Sequence, residues 1–155
     1  MSAAIETVSH ADVEAIAALH ARCFDDAWDP MMIRRILAMP GAVGLVARDG
    51  GALAGFALAR SAADECELLS LAVADDARGR GIGRRLLEAA LAVAAQGGAR
   101  VMFLEVAETN EVALALYRST GFEKVGRRPD YYELKGGGTL AALTMSRAVP
   151  PLSAS

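Results

Sequence analysis

The sequence predicts a single α/β domain in which one mixed β-sheet carries helices on both faces, and three observations support this prediction. A chain of 155 residues with 54% hydrophobic side chains is long enough to form one well-packed core. Strand-like segments at 43–48 and 52–60 flank the sequence Asp-Gly-Gly, a tight-hairpin signal that makes the two strands antiparallel. A strand, a long helix and a second strand then follow between residues 66 and 106, in the order of a parallel β-α-β unit.

The first elements are a strand and two helices. Residues 3–8 are expected to form the strand. Ser9, with Asp12 three residues later, is close to a capping box ahead of a helix whose apolar residues recur at helical spacing. A second, shorter helix is expected to follow Asp29, because aspartate caps helices and the proline after it suits the first helical position. The Pro-Gly pair at 40–41 ends that helix.

The second half continues the alternation of strands and helices. After the hairpin, a strand at 66–73 leads through a loop rich in arginine and glycine into a helix at 82–96, which two following glycines can cap. The remaining elements are a strand, a helix and two strands, followed by a flexible tail. The strand is expected at 100–106 and the helix at 110–120. The two last strands are expected at 122–127 and 140–146, and the tail at 148–155.

The loop at 77–85 has the composition of an anion-binding site. Its sequence, Ala-Arg-Gly-Arg-Gly-Ile-Gly-Arg-Arg, joins a strand directly to a helix. Glycines let backbone N–H groups approach a ligand closely, the helix N-terminus adds unpaired donors and partial positive charge, and the arginines suit a polyphosphate. A P-loop is excluded because the loop lacks lysine, and a Rossmann fingerprint is disfavoured because Arg84 stands where its third glycine would be.

Composition narrows the class of protein further. A formal net charge of −3 argues against a nucleic-acid-binding protein, which would usually show a basic face. The N-terminal residues do not form a signal peptide, and no apolar stretch is long enough to span a membrane, so a cytoplasmic protein is expected. The two cysteines and two histidines show no ligand spacing, so no metal is expected.

The loop also resembles the signature of a known family. Arg78-x-x-Gly81-x-Gly83, preceded by Leu-Ala-Val at 71–73, is similar to the Arg/Gln-x-x-Gly-x-Gly/Ala signature of the GNAT acetyltransferase superfamily. The order of elements agrees with that family over about residues 4–147. The resemblance implies the GNAT fold, acetyl-CoA as cofactor, and a diphosphate held by the loop. The residues that it implies for the cofactor are Leu71, Ala72, Val73, Arg78, Gly79, Arg80, Gly81, Ile82, Gly83, Arg84, Asn110 and Tyr117.

Within the superfamily, the segments at 104–106, 110–117 and 121–122 and the Arg-Arg-Pro-Asp-Tyr-Tyr sequence are similar to the RimI-like ribosomal-protein-alanine N-acetyltransferases. Asp130 and Glu133 replace the Asn and Pro of that branch, at the place where the acceptor should enter. The resemblance implies that Phe24, Trp28, Tyr131 and Tyr132 flank the acceptor.

Acetyl transfer to an amine requires a base and an acid, and the sequence offers candidates for both. Glu105 ends an apolar strand, a setting that can raise the pKa of a carboxylate, and in the RimI-like resemblance it is the base, acting through a water. Glu67 is the competing candidate, because other GNAT members place a catalytic glutamate at that spacing; on a regular strand it would share one face with Leu69, Leu71 and Val73. Glu105 is preferred.

Tyr117 is the candidate acid. A tyrosine is protonated at neutral pH and can donate to a thiolate, whose pKa is lower. The expected activity is acetyl transfer from acetyl-CoA to the α-amine of a protein N-terminus, such as that of a ribosomal protein, by a monomer or weak homodimer. Two alternatives remain open: an acetyltransferase for a small-molecule amine, and an acyl-CoA-binding module without catalysis.

Overall fold

The computed structural model describes residues 3–151 and shows one seven-stranded mixed sheet with the strand order β1-β2-β3-β4-β5-β7-β6. The strands are β1 Ala4–Thr7, β2 Ala42–Asp49, β3 Ala52–Ala62, β4 Glu65–Val73, β5 Val101–Ala107, β6 Glu123–Glu133 and β7 Thr139–Ala148. The α-helices are α1 Val13–Cys23, α2 Pro30–Ala38, α3 Ile82–Gln96 and α4 Glu111–Ser119. β4 and β5 are parallel, and the other neighbours are antiparallel. The predicted mixed sheet is confirmed.

Local signals placed most boundaries correctly. The backbone N–H of Ser9 donates to the Asp12 carboxylate over 2.8 Å, which forms the expected capping box. Asp29 accepts from the N–H of Met32 over 2.8 Å and caps α2. The expected tail begins later than residue 148, because Ala148 ends β7 and the next residue is buried. Residues 152–155 of that tail lie outside the described residues.

Helices cover both faces of the sheet, as predicted. The His20 ring of α1 lies 6.2 Å from the Phe56 ring of β3. The neighbouring Gly55 points to the opposite face, where an added Cβ would lie 3.1 Å from Leu86 of α3. We call these two sides the α1 face and the α3 face. None of the helices within residues 3–151 combines the length and the apolar character needed to cross a bilayer.

β4 contains a β-bulge. Leu68 pairs with Ala59 and Ser70 pairs with Leu58, so two consecutive residues of β3 face residues of β4 that are two apart. Leu69 is therefore the extra residue, and such an insertion bends its strand and changes its side-chain alternation.

The bulge changes which side chains of β4 share a face. Glu67 pairs with Arg60 and Leu71 pairs with Ala57, and these two β3 residues point to opposite faces because they are three positions apart. The expectation that Glu67 shares a face with Leu71, which assumed a regular strand, is therefore wrong. Glu67 points to the α1 face and Leu71 to the α3 face.

β4 and β5 separate just beyond the bulge. Their parallel pairing ends at Leu68 and Leu104. Past this point Ser70–Val73 stays paired with β3, and Glu105–Ala107 stays paired with β7. Within residues 3–151 the two edges that face each other have no strand partner. We call this opening the gap.

Candidate active site

Two carboxylates meet on the α1 face. Glu67 pairs in register with Phe103, and Glu105 lies two residues beyond Phe103 on the same strand, so both side chains point the same way. Burial raises the pKa of Glu67 and the neighbouring Glu105 raises it further, while Arg128 and Arg60 oppose the shift. Glu105 is the first β5 residue past the last pair and borders the gap, whereas Glu67 lies in the paired part of the sheet.

Arg128 of β6 faces Glu105. Its Nε lies 3.5 Å from Glu105 Oε2, and the side chains are 60% and 17% exposed respectively. The same guanidinium lies over the ring of Tyr131, 5.2 Å from its centroid. Glu105 Oε2 is nevertheless buried and accepts no hydrogen bond from the described residues. The carboxylate thus has a nearby cation but keeps one oxygen free for a donor.

The two tyrosines of β6 lie beside this pair. Pairing of β6 with β7 is irregular between Arg128 and Tyr132, and Asp130 within that stretch has a φ of +56°. The hydroxyl of Thr139 donates to the Asp130 carboxylate. The rings of Tyr131 and Tyr132 meet edge to face at 5.0 Å. Burial raises the pKa of Tyr132 to about 12, with smaller contributions from Tyr131 and Glu105, so its hydroxyl stays protonated.

Tyr117 lies on α4 and is buried. Its ring packs edge to face on Phe122 at 5.7 Å, and burial raises its pKa well above the usual value, with a small contribution from Tyr132. Tyr117 therefore keeps its proton throughout the neutral range. Asn110 begins the helix, because its side chain accepts from the N–H of Ala113 over 3.1 Å, as the sequence predicts.

α4 also contacts the start of α3. A Cβ added to Gly83 would lie 3.2 Å from Leu116 Cδ2 and 3.6 Å from Val73 Cγ2. Arg84 donates to Ser119 Oγ over 2.9 Å. The absence of a side chain at Gly83 therefore lets the predicted anion loop approach α4 and the end of β4 closely.

The anion loop presents its backbone as expected. Gly79 and Gly81 have φ values of +79° and +75°, and an added Cβ would meet nothing within 4 Å at either position. Glycine is therefore required there by the left-handed conformation and not by lack of space. Among the described residues, the backbone N–H groups from Gly79 to Arg84 donate to no other backbone group. This row of free donors at the N-terminus of α3 fits a diphosphate.

Two of the loop arginines already have acidic partners within the chain. Arg80 pairs with Asp49 over 2.8 Å, and Arg78 pairs with Asp75 over 3.0 Å. Arg78 also donates to the carbonyl of Val73 over 3.2 Å, so it links the loop to the end of β4. The sequence predicts only a ligand-binding role for these arginines. In the structure they also hold the loop in place.

The predicted acceptor residues Phe24 and Trp28 lie in the loop between α1 and α2. Both rings pack on His20, at 4.4 Å and 4.6 Å between centroids. Nδ1 of His20 accepts from the N–H of Trp28 over 3.1 Å. Because His20 packs towards Phe56, this loop lies on the α1 face with the two carboxylates. A shallow cavity of about 250 Å³ beside the loop includes Trp28 and Arg35 but neither carboxylate.

The sequence does not reveal a role for Arg128 beyond its place in the Arg-Arg-Pro-Asp-Tyr-Tyr motif. The contact with Glu105 depends on the pairing of β6 with β7 and of β7 with β5, which no local pattern reveals. Within residues 3–151 no three His, Cys, Asp or Glu side chains converge on a point that suits a metal ion.

The chain is similar in sequence to known acetyltransferases. The chain matches the model of the acetyltransferase (GNAT) family over residues 13–122. It is 43% identical over 149 residues to the N-alpha-acetyltransferase RimI of Mycobacterium tuberculosis, which covers 92% of this chain and 90% of that protein. It is 37% identical over 87 residues to the ribosomal protein bS18-alanine N-acetyltransferase of Escherichia coli, covering 56% of this chain and 59% of that protein.

Solved structures agree in fold. The crystal structure of the ribosomal-protein-S18-alanine N-acetyltransferase from Escherichia coli superposes with a TM-score of 0.87 and 26% identity, covering 98% of this chain and 96% of that one. Arabidopsis thaliana NAA60 in complex with acetyl-CoA superposes with a TM-score of 0.83 and 19% identity, covering 96% and 99%. The second likeness is one of fold alone.

Proposed function

The chain belongs to the acetyltransferase (GNAT) family and uses acetyl-CoA, and we propose that it acetylates the α-amine of a protein N-terminus, with a ribosomal protein as acceptor. The position of Glu105 carries this proposal, since its carboxylate borders the gap and its buried Oε2 accepts no hydrogen bond from the described residues. The relatives named as N-alpha- and bS18-alanine acetyltransferases support the choice of acceptor.

The residues that would hold acetyl-CoA come from three elements. The free N–H groups from Gly79 to Arg84 are suited to its diphosphate. The unpaired edge of β4 at Leu71–Val73 is suited to an extended arm, because strand edges offer backbone donors and acceptors. Asn110 would border that arm at the start of α4. Bound acetyl-CoA supplies an acetyl group already activated as a thioester.

Glu105 would act as the base. An α-amine has a pKa of about 7.7–8.0, so most of it is protonated at neutral pH and must lose a proton before it can attack. Glu105 would take that proton through a bridging water, and the amine nitrogen would then form the new C–N bond. Its place beside the gap favours Glu105 over Glu67, which lies where β4 and β5 are still paired.

Tyr117 would act as the acid. As the C–S bond breaks, its hydroxyl would give a proton to the departing sulfur. The raised pKa of Tyr117 means that its hydroxyl is protonated at neutral pH, which is the state that a proton donor requires. Phe24, Trp28, Tyr131 and Tyr132 would flank the incoming peptide on the α1 face.

The test is to offer matched acceptors to the purified protein with acetyl-CoA and to measure acetylation by the release of free thiol from the cofactor. We expect a peptide with a free N-terminal alanine to be acetylated with a higher kcat/KM than polyamines or free amino acids. The control is the same peptide with a blocked N-terminus and an internal lysine. Preference for a small amine, or acetylation of the blocked peptide at lysine, would contradict the proposal.

A further inference from the structure

Two buried side-chain oxygens within residues 3–151 have no hydrogen-bond partner. One is Oε2 of Glu105, and the other is Oγ of Ser70, a residue that is 8% exposed. Buried polar groups without a partner are rare in folded proteins, because the group loses water and gains nothing in return. The Ser70 hydroxyl therefore has no evident structural role, and a bound ligand could supply its hydrogen-bond partner.

Both free oxygens border the gap on the same face. Ser70 pairs with Leu58, which lies two residues from Arg60, the partner of Glu67. Ser70 and Glu67 thus point to the α1 face, as Glu105 does. The last pair between β4 and β5 is Leu68 with Leu104. Ser70 lies two residues beyond Leu68, and Glu105 lies one residue beyond Leu104.

Ser70 differs in this respect from Thr120, the other buried serine or threonine within residues 3–151. Thr120 is similarly buried, at 7% exposed, and its Oγ1 donates to the carbonyl of Leu116 over 2.9 Å. The hydroxyl of Thr120 serves the fold, by closing the end of α4. That of Ser70 is free for a ligand.

We propose that Ser70 is a specificity-determining residue, whose hydroxyl accepts a hydrogen bond from the acceptor nitrogen while Glu105 receives its proton through the bridging water. This inference rests on the proposed transfer to an amine. A primary amine that has lost one proton still carries two N–H groups, and holding one of them on Ser70 directs the lone pair. Ser70 itself gains and loses no proton and forms no covalent bond.

The consequence is a preference for primary over secondary amines. An N-methyl amine has only one N–H after deprotonation, and its methyl group would compete for the space beside Ser70. Removing the hydroxyl weakens the primary amine's contact and relieves that crowding. We therefore expect Ser70→Ala to reduce the ratio of kcat/KM for primary over N-methyl acceptor by about fivefold to tenfold, the size of one hydrogen bond.

The experiment compares a peptide that begins with alanine and the same peptide that begins with N-methylalanine. Ser70→Ala should lower the ratio without lowering the melting temperature, because it removes an unpaired buried hydroxyl. Ser70→Thr keeps a hydroxyl and should restore the ratio. The matched control Thr120→Val should lower the melting temperature and leave the ratio unchanged, measured well below its unfolding transition.

An unchanged ratio in Ser70→Ala, with the peptide acetylated normally by the wild type, would overturn the role of Ser70 and leave the proposed function intact. If the wild type acetylates small amines and no peptide, the proposed function fails separately. The ratio is then measured with such a primary amine and its N-methyl derivative, and Ser70 is judged by the same criterion.

Discussion

Glu105 and Glu67 share a face of the sheet but not an environment. Glu67 lies in the paired part of β4, and burial together with the charge of Glu105 raises its pKa. Glu105 borders the gap and faces the guanidinium of Arg128 at 3.5 Å. Arg60 and Arg128 both act on Glu67, whereas Arg128 is the guanidinium that lies beside Glu105. The pH dependence of kcat/KM in variants of each glutamate can show which of the two removes the proton.

A base is needed only while the acceptor amine is protonated. Glu105→Gln keeps the shape of the side chain but cannot take a proton, so kcat/KM at pH 7 should fall by about 10²–10⁴-fold. Above a pH of about 8 the free α-amine becomes neutral by itself, and the deficit should shrink. The measurement is kcat/KM against pH, with Glu67→Gln as the matched variant on the same face, for which we expect a deficit independent of pH.

The reverse pattern, a deficit that shrinks with pH in Glu67→Gln and not in Glu105→Gln, would transfer the role of base to Glu67. A flat deficit in both variants would mean that the amine arrives neutral and that the carboxylates only position it.

Tyr117 is tested by removing one oxygen. Tyr117→Phe keeps the edge-to-face contact with Phe122 and should therefore keep the melting temperature. If the hydroxyl protonates the leaving sulfur, turnover should fall by about 10²–10⁴-fold while acetyl-CoA affinity, measured by calorimetry, stays within about twofold of the wild type. Burial holds the pKa of Tyr117 far above neutrality, so Tyr117 does not titrate below pH 10. The pH–rate profiles of Tyr117→Phe and the wild type should therefore have the same shape below pH 10. Full turnover would make Tyr117 a packing residue.

At the scale of elements, one inserted residue shapes the site. The bulge at Leu69 puts Ser70 on the same face as Glu67 and coincides with the separation of β4 from β5. The loop after β4 then begins α3 with a row of free N–H groups. The strand edge and the helix terminus are thus adjacent parts of the proposed acetyl-CoA site, and the loop can be tested separately from the chemistry.

The prediction for the anion loop has a matched control at the opposite end of α3. Gly81 and Gly98 both have positive φ, +75° and +89°, and both have open space around an added Cβ. Gly81→Asp and Gly98→Asp should therefore suffer similar backbone strain. Only the first places a negative charge among the free N–H groups, so only it should weaken acetyl-CoA binding, by at least about tenfold in calorimetry. Equal affinities in the two variants would remove the diphosphate from this loop.

The sequence was sufficient to predict the order of the elements, because their signals are local, although β6 continues to Glu133 beyond the expected end at residue 127. Asp29 and Asn110 cap helices as their positions suggest, and α3 has the expected limits. The bulge at Leu69 was not predictable, since neither glycine nor proline marks it. The contact of Arg128 with Glu105 was missed because it depends on the register of three strands.

At the scale of the whole molecule, the sheet separates the two halves of the proposed site. The anion loop and α4 meet the end of β4 through Gly83, Leu116 and Val73, which lie towards the α3 face. The carboxylates and the loop that carries Trp28 lie on the α1 face. The gap between β4 and β5 joins these sides, so in the proposed reaction acetyl-CoA and the acceptor would approach from opposite faces and meet beside Glu105.

His20 affects both the loop that is proposed to flank the acceptor and the stability of the whole fold. It is 3% exposed, and burial lowers its pKa to about 4, against a small opposing effect of Asp26. In the unfolded chain a histidine has a pKa of about 6.5. Between these values the unfolded state binds a proton that the folded state does not, so the free energy of unfolding falls as the pH falls from 6.5 to 4. The loss attributable to His20 should reach about 3 kcal/mol.

Protonation would also remove the lone pair on Nδ1 that accepts from the N–H of Trp28, so the α1–α2 loop should loosen over the same range. We expect denaturant titrations at pH 7 and pH 4.5 to show a smaller difference in unfolding free energy for His20→Phe than for the wild type. His10, the other histidine, is exposed, and His10→Asn should keep the wild-type difference. Because only differences between two pH values are compared, any packing defect in His20→Phe cancels. An unaltered difference in that variant would show that His20 ionises freely in the folded protein.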